Sequence, residues 1–301
     1  MPSPEAQAMV DMLKAYPIAS APTLAQQRAA MDAAAALNPL PGDVQCTPVD
    51  ANGVPAEWID APGADSNRVV LYLHGGGYLG GSITSHRELT ARIARASGAR
   101  ALSLGYRLAP EYPFPAAVED AVAGYRYLLA QGIAPRAVAI AGDSAGGGLT
   151  MATLLALKQS GDPLPGAGVC LSPCVDLEGV GASMLERDAL DPMIHKDGLL
   201  DSARQYLNGA DPRTPLASPL HGDFVGLPPL LIQVGTWETL YDDATRLVDK
   251  ARAAGIDVTF QEWEGLFHVF QIFSSLPEAK EATEKIGAFI RHHTTAPVGA
   301  A

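Results

Sequence analysis

The sequence predicts an α/β protein in which helices flank a central, mostly parallel sheet of about eight strands. Three observations lead to this prediction. From Arg68 onwards, short apolar segments alternate with longer segments of helical periodicity. Gly98 and Gly255 each stand just past such a helical segment, where a left-handed residue commonly ends a helix. Before the alternation, Asn52 and Gly53 separate two strand-like segments and predict a tight turn between antiparallel strands.

The predicted elements follow in chain order from the spacing of the apolar residues. Strands are predicted where β-branched and apolar residues are continuous or alternate, at residues 44–49, 54–59, 69–73, 101–106, 137–141, 168–171, 230–234 and 258–263. Helices are predicted where apolar residues recur with helical spacing, at residues 86–97, 116–131, 149–159, 198–207, 242–254 and 277–292. Two further short helices are expected before residue 37.

Two segments do not fit the alternation of strands and helices. Residues 176–227 are too many for a simple strand-to-helix connection and contain loops rich in proline and aspartate. We interpret much of this segment, together with the N-terminal helices, as a lid over the carboxyl edge of the sheet. The predicted parts are N-terminal cap helices (1–42), a first core part (43–175), a cap insertion (176–215), a second core part (216–293) and a flexible tail (294–301).

Charge and cysteine content limit the possible partners and location. The 301 residues carry a formal net charge of −12, which argues against nucleic acids and anionic membrane surfaces as partners. The apolar segments are too short to span a bilayer, and the first residues lack the pattern of a signal peptide. Cys46, Cys170 and Cys174 are few and odd in number, which favours free thiols in a reducing compartment. A cytoplasmic protein is therefore expected.

One segment near the middle of the chain indicates nucleophilic catalysis. An apolar run at residues 137–141 predicts a buried strand, and Gly-Asp-Ser-Ala-Gly follows it at residues 142–146. In a nucleophile elbow, the serine of such a turn projects its Oγ from the sheet, and the glycines avoid clashes with neighbouring backbone. Ser144 is therefore the predicted nucleophile, and a glycine-rich turn that contains serine by chance is the alternative. The neighbouring Asp143 is expected to point away and to brace loops.

A glycine-rich loop follows the first strand of the alternating region and reads His74-Gly-Gly-Gly-Tyr78. Glycines allow backbone N–H groups to approach a substrate closely and to stabilise the oxyanion of an acyl-transfer reaction. A loop without function is one alternative. A dinucleotide site is another, because Gly75, Gly77 and Gly80 fit G-x-G-x-x-G. However, the next strand ends without an acid for the ribose, and the motif does not open the helix directly.

A nucleophilic serine needs a base, and the base needs an acid that orients it, in the chain order Ser, Asp or Glu, His. His268 lies in the loop after the last predicted strand, where the base is expected, and a histidine that only fills the core is the alternative. Glu238 directly follows another predicted strand and is the preferred acid. Asp242 is the second candidate, but with Asp243 it is better placed to cap and charge the next helix.

Together these segments resemble the hormone-sensitive-lipase-like bacterial carboxylesterases, often called family IV, of the α/β-hydrolase fold. The resemblance rests on His74-Gly-Gly-Gly-Tyr78, Tyr106-Arg-Leu-Ala-Pro-Glu111, Gly142-Asp-Ser-Ala-Gly-Gly147, Gly226-Leu-Pro-Pro-Leu230 and the loops that contain Glu238 and His268. These motifs occur in the family's order between about residues 69 and 289. The resemblance implies an esterase with a helical cap and with neither a cofactor nor a metal.

The resemblance also implies roles for individual residues. Ser144, Glu238 and His268 would form a catalytic triad. Many relatives have Asp-Pro-Leu where this chain has Glu238-Thr-Leu, so the acid departs from the common pattern. The implied oxyanion donors are the N–H groups of Gly76, Gly77 and Ala145. Members of the family often pair through their last strands, which makes a homodimer through residues 258–263 an expectation.

The cap suggests the nature of the substrate. Its apolar residues Ile194, Leu199 and Tyr206, with Tyr78 below them, predict an acyl pocket of limited length and hence a small, short-chain ester as substrate. The negative net charge favours neutral esters. Two other classes stay open, namely a nonenzymatic small-molecule-binding protein on the same fold and a dinucleotide-linked oxidoreductase. Amidase and lactonase activities also stay open, because one triad serves all of these reactions.

Overall fold

A computed structural model describes residues 1–15 and 23–294 of the chain. Its eight strands are β1 (Gln45–Asp50), β2 (Pro55–Asp60), β3 (Asp65–Leu73), β4 (Ala99–Leu104), β5 (Val138–Asp143), β6 (Ala167–Leu171), β7 (Leu230–Gly235) and β8 (Val258–Trp263). Its α-helices are α1 (Pro4–Ala15), α2 (Leu24–Ala34), α3 (Ile83–Ser97), α4 (Ala116–Ala130), α5 (Ala145–Ser160), α6 (Ser183–Glu186), α7 (Lys196–Leu207), α8 (Tyr241–Ala253) and α9 (Pro277–His293). Short 3₁₀ turns lie at Ala35–Leu37, Pro135–Ala137, Pro219–His221 and Phe270–Ile272.

All eight strands form one sheet in the order β1-β2-β4-β3-β5-β6-β7-β8. The β1–β2 and β2–β4 pairs are antiparallel, and the remaining neighbours are parallel. The turn between β1 and β2 contains Asn52 and Gly53, both with positive φ, which confirms the predicted hairpin. The predicted α/β fold class, with about eight mostly parallel strands between helices, is thus confirmed. β8 lies at one edge of the sheet, and the homodimer through it stays a prediction.

Successive residues of the central strands face opposite helical layers, because side chains alternate across a strand. On β3, Leu71 and Leu73 pack in the apolar cluster that includes α4, α5 and α8, whereas Val70 and Tyr72 pack in the cluster that includes α3 and α9. Both faces of the sheet are therefore covered, which explains why these strands are continuous apolar runs in the sequence. The carboxyl ends of the parallel strands remain available for loops that carry chemistry.

The two N-terminal helices pack against loops at the carboxyl edge of the sheet. The buried side chains of α1, including Val10 and Leu13, share an apolar cluster with Phe267 and Phe270 in the segment after β8. From α2, Arg28 donates hydrogen bonds to the carbonyl oxygens of Leu79 (2.6 Å) and Ala109 (2.9 Å). The short connection between the two helices, residues 16–22, lies outside the described residues.

Some element ends differ from the sequence prediction. Helix α5 begins at Ala145, directly after Ser144, because three glycines at its start carry no apolar pattern to reveal it. Thr294, predicted as the first residue of a flexible tail, is buried and donates its N–H and hydroxyl to the carbonyl oxygen of Ile290. Residues 295–301 of that predicted tail lie outside the described residues. In the described part of the chain, no helix has the length and hydropathy needed to cross a bilayer.

Candidate active site

Ser144 occupies a sharp turn between β5, which ends at Asp143, and α5, which begins at Ala145. Its φ of 53° lies in the left-handed region, where non-glycine residues are uncommon and which is typical of strained functional positions. The backbone on both sides is tightly packed. A Cβ added to Gly146 would overlap the carbonyl oxygens of Leu73 and His74. The glycines of the predicted elbow are therefore required by packing.

This packing predicts that Gly146→Ala lowers the stability of the protein by about 3 kcal/mol, at the upper end for overpacking, because backbone on β3 would have to move. Gly198→Ala is the matched control, since Gly198 lies in helix α7 with open space around its Cα. The control is expected to gain about 0.5–1 kcal/mol. Thermal unfolding followed by circular dichroism compares the two variants, and an unchanged midpoint for Gly146→Ala would contradict the packing argument.

His268 lies between two buried aromatic residues in the segment that follows β8. Phe267 and Phe270 anchor this segment in the apolar cluster under α1, and Val269 has a left-handed φ of 48°. The imidazole is buried, with its Nε2 2.9 Å from Ser144 Oγ. The structure therefore brings the predicted base to the predicted nucleophile, although the two residues are 124 positions apart in the sequence.

Glu238 lies on the other side of the imidazole, in the loop after β7. Its Oε2 is 3.1 Å from His268 Nδ1, and its side chain is fully buried. Its Oε1 accepts hydrogen bonds from the hydroxyl of Ser172 (2.7 Å) and from the N–H of Gly235 (2.5 Å). The carboxylate is therefore fixed by three partners, and the imidazole is one of them.

Asp242, the second candidate for the acid, does not contact His268. Its carboxylate accepts a hydrogen bond from the N–H of Ser183 (3.0 Å), and that of Asp243 accepts from the N–H groups of Val175 (2.8 Å) and Asp176 (3.0 Å). The expectation that these two residues cap α8 is therefore wrong, since no side chain of the described residues caps this helix, but the expected acidic charge in its first turn is confirmed. Their carboxylates instead bind backbone at the start of the insertion.

Ser172 is a site residue that the sequence analysis missed. It follows β6 with a φ of 45°, and its hydroxyl donates to Glu238 while accepting the N–H of Val269 (3.1 Å). One hydroxyl thus connects the loop that contains Glu238 to the loop that contains His268. The available signal was its position directly after a predicted strand, at the same edge of the sheet as Ser144.

The environment of His268 favours its protonated form. Burial by itself lowers the pKa of the imidazole, but the hydrogen bond and charge of Glu238 raise it, and the charges of Asp191 and Asp143 add to this effect. The net pKa of His268 lies above its ordinary value of 6.5. A base that must take a proton from a serine hydroxyl benefits from this stabilisation of the imidazolium.

Asp143 braces the loop before α3, as the sequence analysis expected. Its Oδ1 accepts hydrogen bonds from the N–H of Gly75 (3.1 Å) and the hydroxyl of Tyr72 (2.7 Å), and its Oδ2 lies 3.2 Å from His86 Nε2. All of these groups are buried. His74 belongs to the same cluster, where burial lowers its pKa to about 4. Neither His74 nor His86 is therefore available as the base.

The braced loop contains the backbone donors that the sequence analysis named. Gly76 and Gly77 have positive φ values of 119° and 63°, which a glycine tolerates without strain. Within the described part of the chain, their N–H groups donate no hydrogen bond. Ala145, the third predicted donor, is the first residue of α5, where an N–H group has no partner within the helix.

The cap residues predicted to bind substrate separate into two groups. Tyr78 and Tyr206 are both buried and stack with ring centroids 3.8 Å apart, which places α7 over the loop of Gly76 and Gly77. Ile194 and Leu199 are only partly buried, and the Ile194 carbonyl oxygen accepts a hydrogen bond from Thr239 Oγ1 (2.8 Å).

A cavity of about 690 Å³ beside α7 is lined by other residues, including Leu177, Leu200, Ala203, Arg204 and Leu207.

One cluster in the described residues has the geometry of metal ligands. Asp176, Glu178 and His221 place possible ligand atoms within 4.8 Å of one another. However, Arg246 Nη1 lies 2.6 Å from the Asp176 carboxylate, and Arg213 Nε lies 3.9 Å from that of Glu178. Because both carboxylates already face a guanidinium group, the cluster is explained as a network of ion pairs.

The comparisons with known proteins agree with this geometry. The family model of the alpha/beta hydrolase fold matches residues 70–272. The chain belongs to this family. An acetyl-hydrolase of Streptomyces hygroscopicus is 52% identical over 255 residues, which cover 84% of each chain. An esterase of Acinetobacter venetianus is 35% identical over 264 residues, which cover 87% of each chain.

A solved structure gives the closer classification within the α/β hydrolases. An esterase of the bacterial hormone-sensitive lipase family is 49% identical and superimposes with a TM-score of 0.95. The match covers 98% of this chain and 100% of the esterase chain. The predicted resemblance is thus confirmed, and the protein is a carboxylic ester hydrolase. Packing within the loop explains two of its glycines, since a Cβ on Gly75 would overlap Asp143 and one on Gly76 would overlap Gly80.

Proposed function

We propose that this α/β hydrolase cleaves short-chain carboxylic esters with Ser144 as nucleophile, His268 as general base and Glu238 as the acid that orients the base. The observation that carries the proposal is the continuous hydrogen-bonded series across these residues. Ser144 Oγ is 2.9 Å from His268 Nε2, and His268 Nδ1 is 3.1 Å from Glu238 Oε2. All three side chains are buried, so water competes little for these bonds.

In the first half of the proposed reaction, His268 Nε2 takes the proton of Ser144 as Oγ forms a bond to the ester carbonyl carbon. The carbonyl π electrons move onto its oxygen, which becomes an oxyanion. When this intermediate collapses, the bond to the alcohol oxygen breaks, and His268 gives its proton to the leaving alcohol. An acyl group remains on Ser144.

In the second half, a water molecule replaces the alcohol. His268 takes a proton from the water as the water oxygen attacks the acyl carbon. When the second oxyanion collapses, the bond between the acyl carbon and Ser144 Oγ breaks, His268 gives its proton to Oγ, and the carboxylic acid leaves. Glu238 holds the Nδ1–H tautomer and stabilises the imidazolium in both halves.

The proposed oxyanion hole consists of the N–H groups of Gly76, Gly77 and Ala145. Its support is that the two glycine N–H groups donate no bond within the described chain and that Ala145 opens α5. Asp143 fixes the loop through the N–H of Gly75, so these donors need little reorganisation when charge develops.

A short acyl chain is supported by the packing around Tyr78. Its ring stacks on Tyr206, and the space beside Gly148 is so narrow that an added Cβ would overlap the Cys174 carbonyl and approach Tyr78 Oη to 3.0 Å. Among the relatives, one is an acetyl-hydrolase, and crystals of an esterase 43% identical to this chain were soaked with p-nitrophenyl butyrate.

The proposed function predicts that p-nitrophenyl butanoate is hydrolysed with a kcat/KM roughly 10- to 100-fold above that of p-nitrophenyl dodecanoate, because a long chain overfills the pocket. The measurement is the initial rate of p-nitrophenol release over a series of acyl chains, below the micelle-forming concentration of each ester. A higher kcat/KM on the dodecanoyl ester would contradict the short-chain proposal. The absence of turnover over the whole series would contradict the ester substrate.

A further inference from the structure

Thr239, the residue directly after Glu238, is held by the cap insertion on all of its polar groups. Its N–H donates to Asp191 Oδ2 (3.0 Å), and its hydroxyl donates to the carbonyl oxygen of Ile194 (2.8 Å). Its carbonyl oxygen accepts the hydroxyl of Ser183 (2.7 Å). The loop of the proposed acid is therefore fastened to the insertion, and the insertion does more than cover the site.

Asp191 is the charged member of this contact, and it is 1% exposed. Its Oδ1 accepts hydrogen bonds from the N–H groups of Met193 (3.0 Å) and Ile194 (3.2 Å). Together with the bond from the Thr239 N–H, the carboxylate accepts three backbone hydrogen bonds. No basic side chain among the described residues forms an ion pair with it within 4.0 Å. Burial of a carboxylate without a cation is costly.

The carboxylates whose charges raise the pKa of His268 come from three different elements. Glu238 lies on the loop after β7, Asp143 at the end of β5, and Asp191 in the insertion. Asp143 already has His86 at 3.2 Å. The groups that act on Asp191 are His268 and Glu238, and His268 is the one of them that can become positive. The imidazolium formed during ester cleavage is thus a cation whose charge interacts favourably with the Asp191 carboxylate.

We propose that Asp191 is a positioning residue for the ester hydrolysis. It fixes the Glu238 loop through Thr239, and its negative charge stabilises the imidazolium of His268. The proposal rests on the proposed function of the triad. The insertion thus orients the base and stabilises its protonated form, in addition to forming a wall of the pocket.

The test uses Asp191→Asn, which removes the charge and replaces one acceptor oxygen with an NH₂ group. We expect kcat on p-nitrophenyl butanoate to fall about 100-fold, as for a small displacement of a catalytic group. His268 must be neutral to act as base, so kcat/KM falls when the pH drops through its pKa. Because the Asp191 charge raises that pKa, the acid limb of the variant is expected to shift to lower pH. In Asp191→Asn, a lower kcat with the limb in place would contradict the role of the charge, because loss of the contact alone does not move the limb.

Asp243→Asn is the matched control. Asp243 is also fully buried and also binds two backbone N–H groups, those of Val175 and Asp176, but it is not among the groups that act on His268. Burial raises the pKa of Asp243 to about 7, so this residue could itself titrate in the range of the assay. An acid limb that stays in place in Asp243→Asn therefore excludes Asp243 as its source.

Two further variants keep the test valid if Asp191→Asn does not fold. Asp191→Glu and Thr239→Val both keep the charge while disturbing the contact, so both should lower kcat with the acid limb at the wild-type position. Wild-type kcat and an unmoved limb in the Asp191 variants would overturn the inference while the enzyme still depends on Ser144. If Ser144→Ala keeps full activity, the proposed function itself fails, which is a different result.

Discussion

Replacement of Ser144 by alanine is expected to lower kcat on p-nitrophenyl butanoate by about 10⁶-fold, because it removes the atom that becomes acylated. The fold should persist. Among the described residues, the Ser144 side chain has His268 as its one hydrogen-bond partner, and the turn is held by backbone bonds such as that from the Ser144 N–H to the Leu171 carbonyl oxygen (2.8 Å). Circular dichroism and the unfolding midpoint should match those of the wild type, while ester hydrolysis disappears.

Ser160→Ala is the control for this experiment, since Ser160 ends the same helix α5 far from the turn and its hydroxyl bonds to local groups. It should keep wild-type kcat. A Ser144→Ala protein that is folded and equally active would show that the elbow is not the site of acylation. Loss of activity together with loss of structure would require repetition with Ser144→Cys. This variant introduces a thiol at the position of the nucleophile, which alkylating reagents should modify.

The parts of the site that the sequence predicted are those with a local physical cause. Ser144 could be found because its glycines and the buried strand before it stand together in the chain. His268 could be found because parallel strands end at one edge of the sheet, so the loop after the last strand must approach the elbow. The Asn52-Gly53 turn was predictable for the same reason, since two adjacent residues with positive φ determine it.

The parts that the sequence did not predict depend on contacts between distant segments. Ser172 connects residues 66 and 97 positions away, and its position directly after a predicted strand does not indicate these distant partners. Asp242 and Asp243 followed the sequence pattern of helix caps, but the insertion offers backbone N–H groups to their carboxylates instead. The support of Thr239 by Asp191 could not be inferred, because the insertion has no repeating pattern that fixes its path.

The acid is the residue for which the sequence left two candidates, and its replacement should have the second-largest effect. Glu238→Gln is expected to lower kcat by about 10⁴-fold, because an amide NH₂ facing His268 Nδ1 would favour the wrong tautomer of the imidazole. The glutamine carbonyl oxygen can keep the hydrogen bonds from Ser172 and from the N–H of Gly235. The variant should therefore fold normally, and its kcat measures the orienting role.

Asp242→Asn separates the two candidates, because an asparagine oxygen can still accept the N–H of Ser183 and no contact to His268 is lost. It should keep kcat close to that of the wild type at the pH where Glu238→Gln is nearly inactive. Comparison of kcat for both variants, at equal secondary-structure content, decides the assignment. If Asp242→Asn costs more activity than Glu238→Gln, the acid acts from α8, and the imidazole must rotate away from Glu238 during the reaction.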